Sequence, residues 1–165
     1  MGVQQGRSPV SEVFNLNHYI VATSAATVAG CYGCEAYVAT EWPMPWGRLH
    51  KVSRGDVNIA HTEPRLLCVT VCAARLAIDF LVAHCPTSAS PLSADYDFIL
   101  ELKAVVRKCR SARARLFAAI DGSCRVGPVV SAAIGPEAAD TEFKRGALSH
   151  SFPLGAGLFL PATFA

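Results

Sequence analysis

Charge is scarce in this chain. Charged residues fill 17% of its 165 positions, against roughly a quarter in an average soluble domain. The formal net charge is only +2, too small to argue for a nucleic-acid partner by itself. Collagen-like and coiled-coil composition are absent. The opening MGVQQGRSPVSEV lacks the apolar core of a secretory signal, so an intracellular, reducing location is the expectation. No stretch suits a membrane span. The most apolar one, residues 66–85, is interrupted by Arg75 and Asp79, whereas a spanning helix needs about 20 largely uncharged residues.

Hydrophobic residues, by contrast, make up 52% of the chain, a figure that 26 alanines inflate. With so little net charge, that content excludes disorder. The length suits one domain, residues 1–165, able to bury a core. Seven cysteines occur, at 31, 34, 68, 72, 85, 109 and 124. An odd count without a leader favours free thiols. Cys31 and Cys34, joined by Cys68 and Cys72, could form a four-thiolate zinc site. Cysteines in apolar runs more often behave as small buried hydrophobes. Arg107, Lys108, Arg110, Arg113 and Arg115 crowd into nine positions; such a run can meet phosphates or form a solvated helix face.

Strand signals dominate the first half. Residues 18–24, 34–39 and 56–61 are short and β-prone, and 41–54 reads as a loop with two Trp and two Pro. The run 65–72 is almost continuously apolar. In 76–84 the large residues recur with period two, which predicts a strand with one face in a core. The connector 73–75 is short enough for a hairpin. A helix is predicted over 94–112, with Ser93 as its N-cap. A buried strand follows at 116–120, then a loop, a helix over 141–152 stopped by Pro153, and a last strand beginning at 158. Hairpins followed by a β-α-β passage make a mixed α/β domain.

Two strand ends carry candidate chemistry. One ends in His84, Cys85, Pro86 and Thr87; the other in Asp121, Gly122 and Ser123. If the two strands run parallel, these ends share one rim, where ligand sites of open α/β sheets lie. A carboxylate just past a strand can bind a metal or orient a water. It can equally cap its own turn, because Asp-Gly-Ser is good turn chemistry.

The stretch LFAAIDGSCRVG at 116–127 resembles the Asp-x-Asn segment of the endonuclease/exonuclease/phosphatase family, which includes abasic-site endonucleases and nuclease domains of non-LTR retroelement polyproteins. Residues 76–87 resemble its strand ending in an aromatic or His, one residue, Pro, then a polar residue. GALSHSF at 146–152 and GLFLPATF at 157–164 resemble its helix and next strand. Residues 2–7, GVQQGR, resemble the strand end that carries a metal-binding Glu after a Gln.

The resemblance implies a mixed α/β fold: a partial four-layer α/β sandwich, with two mixed β-sheets packed face to face and helices outside. It implies phosphodiester hydrolysis with Mg²⁺, on DNA or another phosphodiester, and an origin within a larger polyprotein. Asp121 then sits at a catalytic and metal-binding position, His84 and Ser123 at catalytic positions, and Thr87 and Arg125 where phosphate is contacted. Gln5 takes the place of the metal-binding Glu, and a neutral amide is a far weaker ligand for a hard cation. Ser123 takes the place of the Asn and offers no amide donor. The family's first strand would precede Met1, and its terminal Asp and His would follow Ala165. By this count of ligands the chain is a degenerate, weakly active or inactive remnant. The alternatives are an active Mg²⁺-dependent endonuclease and a cysteine-based zinc module. Glu35 could replace the missing ligand, but in this register it falls on an internal strand.

Overall fold

The computed structural model describes residues 1–4, 6–73, 75–109, 114–122, 130–136 and 144–160, except the side chains of Gln4 and Trp46. By backbone proximity the chain divides into two compact units, Met1–His84 with Cys109–Asp121, and Cys85–Lys108 with Gly122–Ala165.

The first unit is a β-sandwich. One sheet holds β1 (Gly2–Gln4), β2 (Glu12–Leu16), β3 (Tyr19–Thr23) and β4 (Cys34–Ala39) in the order β1-β4-β3-β2. A two-stranded ribbon, β5 (Glu41–Pro43) with β6 (Leu49–Lys51), follows. The second sheet holds β7 (Val57–Glu63), β8 (Leu66–Ala73), β9 (Leu76–His84) and β10 (Arg115–Asp121) in the order β10-β9-β8-β7.

Strand alternation builds the core. Successive side chains of a strand point to opposite faces. Ile20, Ala22, Cys34, Ala36 and Val38 from the first sheet therefore meet Leu67, Val69, Val71 and Val82 from the second in one buried cluster. Each large aliphatic chain so buried contributes roughly 1.5–3 kcal/mol. β8 lies between two partners, so its residues are apolar on both faces, as the run at 65–72 predicts.

The second sheet is mixed: β7, β8 and β9 are antiparallel neighbours, while β10 runs parallel to β9. The first sheet departs from the expectation of two mixed sheets, because all its pairings are antiparallel. Strands joined by short connections fold back on themselves; a parallel pair needs a crossover of a dozen or more residues. Among the described strands only the passage from β9 to β10 has one.

The second unit contains α1 (Leu92–Cys109, whose last residue falls in the first unit) and α2 (Lys144–Ala156). α1 buries Phe98, Ile99, Leu102, Val105 and Val106. It starts two residues early, so Ser93 lies inside the first turn rather than capping it. It also ends at Cys109, so the basic run does not share one helix face: Arg107 and Lys108 are on α1, Arg115 is on β10, and Arg110 and Arg113 lie outside the described residues. α2 runs through Pro153 instead of stopping before it. A proline this close to the C-terminus removes one helical hydrogen bond. The end is made four residues later by Gly157 at φ 66°, with Leu158 N–H donating to the Pro153 carbonyl at 2.8 Å, a Schellman closure. Residues 158–160 form no strand. β10, read as buried, is mostly exposed, because β9 is its sole strand partner among the described residues. The stretch 41–54 holds the β5–β6 ribbon rather than only a loop. No helix among the described residues is long and apolar enough to cross a membrane.

Candidate functional site

β9 and β10 pair in parallel from Arg115 opposite Ile78 to Asp121 opposite His84. The shared rim that the sequence suggests is therefore formed. His84 Nε2 lies 3.8 Å from a carboxylate oxygen of Asp121, with the His84 side chain 5% and the Asp121 side chain 46% exposed. That is an ion contact when His84 is protonated, and too long for a hydrogen bond. The other ring nitrogen of His84, Nδ1, is buried and makes no hydrogen bond among the described residues. A buried polar atom of this kind is costly away from functional sites.

A loop that sequence reasoning passed over completes this side of the first unit. Tyr32 has a left-handed backbone, φ 66°, between Gly30 at 69° and Gly33 at 95°. Its ring lies 5.5 Å from the His84 ring, tilted by 52°. The Arg65 guanidinium sits over the other partner of that contact, 3.6 Å from the Tyr32 ring centroid. Backbone bonds lock the assembly: Gly33 N–H donates to the Pro64 carbonyl at 2.6 Å, Gly6 N–H to the Gly33 carbonyl at 3.0 Å, and His84 N–H to the Arg65 carbonyl at 2.9 Å. A Cβ on Gly33 would fall 1.7 Å from the Gly6 carbonyl oxygen, so only glycine fits there. An aromatic residue between two glycines, and an Arg following Pro at a hairpin turn, were the available sequence signals.

Glu35 lies on β4, flanked by β1 and β3. It alternates with the core residues Cys34 and Ala36 and so faces away from the core. Its carboxylate accepts a hydrogen bond from the Tyr37 hydroxyl at 2.7 Å, which raises the Tyr37 pKa. Gln5, Ser123 and Arg125 lie outside the described residues.

Thr87 belongs to the second unit, where Arg145 holds its loop. Arg145 donates to the Thr87 carbonyl at 3.3 Å, and in closer contacts to the Ser90 carbonyl and the Asp95 carboxylate.

The four-cysteine zinc site is not formed. Cys34 points into the core between the sheets. Cys68 and Cys72 alternate with Leu67, Val69 and Val71 and so point away from it. Among the described residues no three His, Cys, Asp or Glu side chains converge on a common point. For Mg²⁺, which takes oxygen ligands and favours anionic ones, the described part of the rim supplies the Asp121 carboxylate.

Comparison with known proteins gives fold-level support. No family model matches the chain, and no curated protein matches it. Among solved structures, the chain is similar to the endonuclease domain of TRAS1, a telomere-specific non-LTR retrotransposon, with a TM-score of 0.55 and 15% sequence identity over 86% of this chain. The fold is nuclease-like. The match covers 54% of the TRAS1 domain chain, so this chain spans about half of its length. In this nuclease-like frame, the rim with His84 and Asp121 is the candidate site.

Proposed function

We propose that the chain is a degenerate nuclease-like domain of retroelement origin, once part of a larger polyprotein, whose rim addresses a DNA phosphodiester with little or no turnover. The observation that carries this is the matched pair of His84 and Asp121 at the parallel strand ends of a nuclease-like fold, combined with Gln5 and Ser123 standing where the family resemblance places a Glu and an Asn.

Phosphodiester hydrolysis needs a water oriented on phosphorus, a place for its proton, and compensation of the charge that develops on the phosphoryl oxygens. Asp121, half exposed, can accept a hydrogen bond from such a water and take its proton. His84, buried beside it, can hold the carboxylate in place and carry a proton on Nε2. Charge compensation is the missing part. In the family it comes from Mg²⁺, and here the positions for two supporting groups read Gln5 and Ser123. Groups that act as a unit fail together, so the loss of one can remove nearly all the rate.

The test is Mg²⁺-dependent cleavage of nicked and abasic-site DNA by the folded chain, with Asp121→Ala as control. The expected result is no cleavage above the variant's background. Cleavage that requires the metal and vanishes in the variant would replace this proposal with an active endonuclease.

A further inference from the structure

We infer that Arg65, seated over the ring of Tyr32, is a phosphate-binding group beside the His84–Asp121 pair, taking the backbone of a nucleic acid. The inference rests on the nuclease-like reading above and adds a binding element to the same rim.

Three observations carry it. Tyr32 adopts a left-handed backbone conformation, which costs a non-glycine residue of order 1 kcal/mol or more and persists only where the surroundings impose it. The surroundings do so through Gly33, tied to Pro64 at 2.6 Å and pressed against Gly6. The strained residue is also the one that joins two functional groups: its ring is 3.6 Å from the Arg65 guanidinium carbon and 5.5 Å from the His84 ring. Finally, the Arg65 carbonyl accepts the His84 backbone N–H at 2.9 Å, so guanidinium and imidazole are positioned by one short piece of backbone.

The chemistry selects the ligand. A guanidinium carries five N–H donors in one plane, and seated over an aromatic face it presents them at its edge. Their fork matches a phosphate, and the charge does not titrate away. Arg65 and Tyr32 are each partly exposed.

The experiment measures binding, not cleavage. A fluorescein-labelled DNA duplex is titrated with the chain in EDTA over a range of salt concentrations, for wild type, Arg65→Gln, Arg65→Lys and Tyr32→Ala, each confirmed as folded by circular dichroism. Arg65→Gln should weaken binding about tenfold, the scale of a lost charge-assisted hydrogen bond, and flatten the salt slope by about one. Tyr32→Ala should weaken binding in the same direction while leaving the slope near wild type, because the charge remains. Arg65→Lys should restore the slope but not the full affinity. Inorganic phosphate should compete if an isolated phosphate suffices; if it does not compete while Arg65→Gln still lowers affinity and slope, the extended backbone is the ligand. Equal affinity and slope for wild type and Arg65→Gln would overturn the inference, as would a wild type that does not bind the duplex. Equal affinity and slope with binding intact would leave the proposed function standing, whereas a wild type that does not bind the duplex would remove both readings.

Discussion

His84 and Asp121 stand opposite each other at the last matched positions of two parallel strands, 3.8 Å apart, one buried and the other half exposed. That asymmetry predicts different consequences for their removal. Asp121→Asn should change stability by no more than about 1 kcal/mol, as for an exposed ion pair. His84→Ala empties a buried site and should cost about 2 kcal/mol or more. Urea denaturation of the two variants checks this; equal losses would show that Asp121 is held far more tightly than its exposure implies.

Gly6 and Gly33, whose backbones touch, should respond differently to alanine. A Cβ at Gly33 meets backbone oxygen at 1.7 Å, and its φ of 95° is strained for any side chain. A Cβ at Gly6 meets the Glu35 side chain at 2.6 Å, which can swing away. Gly33→Ala should therefore prevent folding or cost more than about 3 kcal/mol, and Gly6→Ala about 1 kcal/mol. Soluble yield and thermal melts separate the two.

Arg145 reaches from the start of α2 to the Thr87 and Ser90 carbonyls and to Asp95. It is a positioning residue for the loop that follows β9. Arg145→Ala should cost about 1–3 kcal/mol, because a largely buried Asp95 loses its ionic partner. Limited proteolysis should then cut within residues 87–91. Unchanged resistance of that loop would mean it is held by other contacts.

The thiols should separate by environment. Burial raises Cys34 to about 11, with the Ser24 hydroxyl opposing, and burial, with Cys109 and Asp79 adding to it, raises Cys68 to about 12. Cys31 and Cys72 are exposed. At pH 8 the exposed pair should react rapidly with a thiol reagent, while Cys34 and Cys68 should react about a hundredfold or more slowly until the chain unfolds. The raised values also set the direction of a pH effect. Below the ordinary thiol value of 9.0 both thiols are protonated in either state, and their contribution to stability is complete. As pH rises from there through about 11 and 12, the unfolded chain loses these protons first, and stability falls. A urea midpoint that stays level between pH 9 and 11 would contradict this.

Much of the fold was legible because its signals are local. Period-two alternation marked β9, the unbroken apolar run marked β8, and Ser/Pro turn chemistry marked the passage into α1. β2 was missed, since Glu12–Leu16 is short and its pattern largely exposed. Pro153 misled because a proline is judged by its neighbours, whereas its tolerance in α2 depends on a helix end made by Gly157.

The sequence by itself determined which residues end β9 and β10, and so placed His84 and Asp121 at strand ends with a crossover between them. Tertiary structure alone decided what those ends meet. Strand alternation sent Cys34 into the core and Cys68 away from it, dissolving a zinc site that spacing allowed. It also brought Tyr32 and Arg65, 33 positions apart in the chain, into one stack beside His84. The physical reason is range: hydrophobic period and turn chemistry act over a few residues, whereas the packing of two sheets and the close approach of Gly6 to Gly33 are set by contacts between distant segments.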